Sequence, residues 1–154
     1  MTIYEPAIGR RSLVGQLLYF SVWLAVTVVG ACLHASRTGH GTHEQLGLPP
    51  CPSVLLFSRP CPGCGLTTSW TALIHGDLAL AFHAHPLGPL LYLFFTVTSL
   101  LALRGWITGK RMVVDSPRFN QAVIAAAVLF FAFGIVRMTV SPGYRTAQDI
   151  AALR

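Results

Sequence analysis

The residues of this chain best suited to chemistry lie close together. Cys51-Pro52 is followed, after nine residues, by Cys61-Pro62-Gly63-Cys64-Gly65. Two cysteines three apart on a tight turn can aim both sulfurs at one centre. Proline fixes φ, and a glycine after the second cysteine tolerates φ > 0. Backbone N–H groups of such a turn can donate to the sulfurs, as in a zinc or iron knuckle. The chain has four cysteines. Cys32 closes a long apolar run and reads as a buried apolar side chain. Cys51, Cys61 and Cys64 remain, and the short loop between them predicts that they converge at a modest closure cost.

Three chemistries are open to these thiols. A metal site would use Cys51, Cys61 and Cys64 with one imidazole. Zinc suits that set, His85 is the first candidate for the fourth ligand and His83 the second. A structural disulfide would pair two of the three, and it persists if the loop faces an oxidising compartment. A Cys61–Cys64 redox pair needs a thiolate stabilised by a helix N-terminus or a cation. A helix starting near Leu66 and Arg59 both stand near in sequence, but no thioredoxin-like βαβ pattern surrounds the pair. No Ser-His-Asp set, phosphate loop, carboxylate pair or dinucleotide fingerprint is present, so a non-enzymatic role is expected. His34, His40 and His43 read as exposed, and His75 and Asp77 as turn formers.

The elements that position this loop are membrane elements. Of 154 residues, 53% are apolar and 10% charged, against about 25% charged in a typical soluble domain. Leu13 to Leu33 carries no charge over 21 residues. As a helix at about 1.5 Å per residue it reaches roughly 32 Å, enough to cross a hydrocarbon core of about 30 Å. Its length exceeds a signal-peptide core, so it is read as a retained span. Residues 86–103 form a second span, with Pro86 and Pro89 expected in its first turn. Residues 122–140 form a third, in which Arg137 is expected to snorkel outward. Ala122, Ala125, Ala126 and Ala127 make a small-residue patch there.

Between the first two spans lie a polar linker (36–50), the cysteine loop (48–65) and a fourth apolar piece (66–83). His75-Gly76-Asp77 breaks that last piece. It predicts two short helices, the second capped by Asp77, lying in the membrane interface with Trp70, Leu73, Ile74 and Phe82 buried. A re-entrant segment is the alternative. The tail after Pro142 is expected to be mobile. The fold class is therefore an all-α integral membrane protein, one membrane domain over 1–154, with about three transmembrane helices and a bent interfacial segment.

Net charge is +6, but the basic residues flank apolar runs, which is membrane topology and not a nucleic-acid footprint. Arg104, Lys110, Arg111 and Arg118 crowd the short second loop, and Arg10-Arg11 precede the first span. These place the N-terminus and second loop in the cytoplasm and the cysteine loop outside.

At this point a resemblance enters. Cys51-Pro52, Cys61-Pro62-Gly63-Cys64-Gly65-Leu66-Thr67, His75-Gly76-Asp77, Ala81-Phe82 and His85-Pro86-Leu87 together resemble the domain-of-unknown-function 2752 family of small bacterial membrane proteins. The resemblance covers about residues 48–105. It implies a bacterial plasma membrane location and a shared local fold, and brings no activity. Thr68 stands where the family usually carries arginine, and His85 where it usually carries asparagine. The functional expectation is an accessory or assembly component in the bilayer, with a cysteine-based structural site and a larger membrane complex as its partner. A thiol-redox or metal-handling protein using Cys61–Cys64 is the alternative.

Overall fold

The structure is a computed structural model that describes residues 4–7, 9–112 and 117–140. In chain order these form β1 (Tyr4–Pro6), α1 (Val14–Cys32), α2 (Pro52–Phe57), α3 (Leu66–Ile74), α4 (Leu78–Ala84), α5 (Gly88–Thr108), β2 (Lys110–Met112) and α6 (Pro117–Val140). Three-residue-per-turn helical segments cover Arg10–Leu13 and Thr42–Leu46. The chain is an all-α membrane protein apart from one short ribbon. Its α1, its α5 and residues Asn120–Val140 of α6 are long and apolar enough to cross a bilayer. Side chains on all sides of these helices are exposed, among them Leu18, Val22, Leu93, Ile124 and Phe131. Lipid solvates such side chains, so they need no protein cover.

Three boundaries differ from the sequence reading, one of them the start of α6, which lies at Pro117 and not at 122. The second span begins at Gly88, and Pro86 and Leu87 form a turn before it. Only Pro89 occupies its first turn, where a missing N–H costs little. At the other end the helix runs through Arg104 to Thr108. Nothing breaks it before Gly109, which takes φ +68°. The expected mobile tail after Pro142 lies outside the described residues.

Contacts divide the chain into two compact units. In the first (residues 1–29 and 90–124), β1 pairs antiparallel with β2, with Tyr4 opposite Met112 and Glu5 opposite Arg111. This ribbon holds the N-terminal segment and the connection after α5 on one side, as a three-span topology requires. Polar side chains join α1 to α5. Tyr19 Oη lies 2.7 Å from Thr98 Oγ1, Trp23 Nε1 donates to Thr96 Oγ1 at 3.2 Å, and Thr27 Oγ1 lies 3.1 Å from Tyr92 Oη. Such bonds are worth about 0.6–2 kcal/mol each inside a bilayer. Gln16 closes the set: its Nε2 donates to the Ala102 carbonyl, and its Oε1 accepts from the Met112 N–H at 2.8 Å.

The second unit (residues 30–89 and 125–154) holds the cysteine loop. α3 and α4 form the expected bent pair. Gly76 takes φ +83°, and the Asp77 carboxylate accepts from the Leu80 N–H at 2.9 Å. Within the protein, the small side chains of α3 are the covered ones. Thr68, Ser69, Thr71 and Ala72 are fully buried, while Trp70, Leu73 and Ile74 are half-buried and Phe82 is exposed. Small side chains admit the close approach of neighbouring segments, and large apolar ones gain nothing from protein burial where lipid is available. The polar linker is also more ordered than its composition suggests. Gln45 exchanges hydrogen bonds with the His34 backbone at 3.1 and 2.6 Å. Thr42, fully buried, accepts from the Ser36 N–H and meets Thr68 Oγ1 at 2.8 Å.

Candidate functional site

The cysteine loop is built by local signals at both ends. Cys51 precedes α2, with Pro52 at its first position, and its carbonyl accepts from the Val54 and Leu55 N–H groups at 2.9 and 3.0 Å. α2 stops at Ser58, whose φ of 51° is left-handed. The second cysteine pair closes a tight turn in which the Cys64 N–H donates to the Cys61 carbonyl at 3.0 Å. Gly65 then takes φ +85° and precedes α3. A Cβ there would collide with the Ala84 carbonyl oxygen and lie 2.7 Å from that of Gly39. Glycine is required at this position by conformation and by space alike.

Three side chains fasten the loop to the end of α6 and to α4. Arg137 donates to the carbonyls of Cys64 and Ala84, both at 2.8 Å. Arg59 donates to the carbonyls of Thr139 and Met138 at 2.8 and 3.2 Å, in the last turn of α6. Those carbonyls have no partner within the helix, and the cation also meets the negative end of its dipole. His85 is fully buried against Phe130 and Phe133, with ring centroids 5.6 and 5.7 Å away. Its Nε2–H donates to the Pro62 carbonyl at 3.0 Å. Burial holds its pKa below the ordinary value, with the Arg137 charge acting in the same direction. The neutral ring therefore carries its proton on Nε2, and Nδ1 is buried without a hydrogen-bond partner. Pro62 in turn packs directly on Gly134, where any Cβ would overlap it.

The thiols interact within this frame. Cys51 and Cys61 lie close enough that each thiol shifts the other's titration. Burial pushes the Cys51 thiol up, but the Cys61 thiol and the N–H groups of Val54 and Ser53 outweigh it, so Cys51 is held below its ordinary value. Cys61 is raised by burial and by its role as partner to Cys51. Cys64 is buried, and burial together with its two thiol neighbours pushes it up to about 12; the Arg137 charge offsets only part of this. Of the three, Cys51 gives up its proton most readily. Cys64 stays protonated beside them.

The structure thus brings Cys51, Cys61 and Cys64 into one corner of the loop, with His85 against the same turn. It does not join them as a metal centre. Among the described residues no group of three or more His, Cys, Asp or Glu side chains could hold a metal ion. His85 Nε2 is committed to Pro62, and His83 is exposed. Cys32, read from the sequence as a buried side chain, is instead exposed on α1, where a thiol facing lipid needs no protein cover. Thr68, in place of the arginine of the resembled family, is fully buried against Thr42.

Sequence reasoning missed Arg137 and Gly134. Arg137 was visible as a lone charge in an apolar span, a feature that usually marks a buried polar partner. The structure adds two carbonyl partners from the loop to the guanidinium, which the sequence reading did not foresee. Gly134 had no sequence signal, since only the docked proline explains it.

Residues 51–99 match the model of a family described as a protein of unknown function, DUF2752. This match supports the resemblance carried by the cysteine turn and the His75–Leu87 stretch. No curated protein and no solved structure matches the chain.

Proposed function

We propose that this chain is a small accessory or assembly protein of the bacterial plasma membrane whose outward-facing loop is locked by a cysteine-based structural bond between Cys51 and Cys61. The observation that supports this reading is the closeness of Cys51 to Cys61, near enough for each thiol to shift the other's titration. A disulfide then requires that the two sulfurs meet its specific geometry. Oxidation balances as thiol exchange. The Cys51 thiolate attacks an external disulfide and expels one thiolate. Cys61 then gives up its proton, attacks the mixed disulfide at Cys51 and expels the second. The bond would fix α2 to the turn that Arg137 and His85 already hold, leaving a rigid outer surface for a partner complex. The outward placement rests on the basic residues of the second loop.

A second reading has one observation in its favour. Cys51 is the thiol held below its ordinary value, so Cys51–Cys61, and not Cys61–Cys64, would be the pair for reversible redox work. Intact-mass measurement of full-length protein purified without reductant tests both readings. A locked bond gives a deficit of about two daltons, the two hydrogens lost on oxidation, with peptide mapping joining Cys51 to Cys61. Resistance to glutathione supports the structural reading and ready reduction the redox one. Four free thiols would refute a disulfide, and stoichiometric zinc would restore the metal site.

A further inference from the structure

α2 carries apolar side chains that nothing among the described residues of its unit covers. Leu55, Leu56 and Phe57 are 53%, 75% and 64% exposed, while Val54 is buried. In water such a run would forfeit about 25 cal/mol for each Å² of apolar surface left uncovered. Depth along α6 gives the face another solvent. The apolar stretch 122–140 has 19 residues. It spans roughly 28 Å, so it must fill a core of about 30 Å and end near the hydrocarbon edge. Pro62 packs on Gly134, six residues before Val140, which is roughly 9 Å inside that end. Arg59, two residues after α2, reaches the carbonyls of Met138 and Thr139. The segment from Arg59 to Pro62 is therefore tied to α6 at and below the hydrocarbon edge, and α2 enters it from the same level.

We infer that Leu55, Leu56 and Phe57 insert into the acyl–headgroup boundary of the phospholipid bilayer, making α2 a lipid-contacting arm of the cysteine loop. The last turns of α6, which Arg59 reaches, also expose apolar side chains, Val136 and Val140 at 59% and 76%. Arg59 adds a cation at the depth of the lipid phosphates, as amphipathic interfacial segments do. This conclusion is independent of the state of the thiols. It adds a helix of six residues to the α3–α4 pair that the sequence alone places in the interface.

The test uses the full chain in phosphatidylcholine vesicles. A Phe57→Trp variant is compared with the parent, whose three tryptophans supply the background. The added emission should be blue-shifted and fall roughly twofold or more when the lipid chains are brominated near the headgroup. Unquenched added emission overturns the inference, whether its wavelength indicates water or a protein cover such as a second copy. Hydroxyl-radical footprinting of the unaltered chain, one copy per nanodisc, keeps the question open to refutation if the variant misfolds. Phe57 should then be as weakly oxidised as Phe131 on α6. Oxidation at the rate of the unfolded chain would overturn the assignment.

Discussion

Replacing Arg137 with methionine should release the cysteine turn from α6. The guanidinium makes two hydrogen bonds of 2.8 Å, to the carbonyls of Cys64 and Ala84. Bonds to a charged group are worth about 1.5–3 kcal/mol each, so the pair is worth about 3–6 kcal/mol gross. Methionine also removes the cost of holding a cation near hydrocarbon, about 2.5–3.5 kcal/mol at a helix centre and less towards its end. The net loss of docking is then about 2–4 kcal/mol, which raises the undocked population about 30- to 1,000-fold. Cys64 reports this directly, because it is buried when the turn is docked. Its alkylation rate follows the open population when reclosing is faster than labelling. Arg137→Lys should fall between parent and Arg137→Met, since a single ammonium cannot bridge two carbonyls as a planar fork does. If Arg137→Met labels Cys64 at the parent's rate, the clamp has no energetic role and the reasoning fails.

Four further outcomes follow from the same geometry. Gly65→Ala should lower stability by about 2–5 kcal/mol, from a left-handed φ and the clash with Ala84, whereas Gly63→Ala, with nothing within 4 Å of its Cβ, should shift thermal unfolding little. In reduced protein at mildly alkaline pH, timed alkylation read by mass spectrometry should modify Cys51 before Cys61 and Cys64 last; equal rates would remove the thiolate assignment. Stability should fall at both pH extremes. The folded chain holds the Cys64 proton more tightly than the unfolded chain, so stability is intact below the ordinary thiol value and is lost as pH rises towards about 12. His85 is the reverse case: its pKa is lowered, so the unfolded chain takes up the proton more readily and stability drops as pH falls through the ordinary histidine value. His85→Asn should flatten that acid limb in a thermal-unfolding series. Reporter fusions at Gly41 and Gly109 should give opposite signals, with Gly109 cytoplasmic; matching signals would rule out three spans.

The sequence alone determined what depends on near neighbours. Twenty or so consecutive apolar residues must cross a bilayer, because length and hydropathy suffice to settle that. The break at His75-Gly76-Asp77 was legible because a glycine able to take φ > 0 and an aspartate able to cap are local devices. The cysteine turn was legible for the same reason. What tertiary structure decided was which groups meet across long separations. Cys51 came to lie near Cys61, and the folded loop left Cys64 buried with its proton held more tightly, because burial and charge interactions act only after folding. His85 became an anchor of the Pro62 carbonyl between two phenylalanines, a role its position in the chain could not distinguish from metal binding. Arg137 lies more than seventy residues from Cys64, and no periodicity or spacing relates them. Their contact exists because a cation at the edge of the hydrocarbon must find oxygen, and the folded loop presents two carbonyls at that depth.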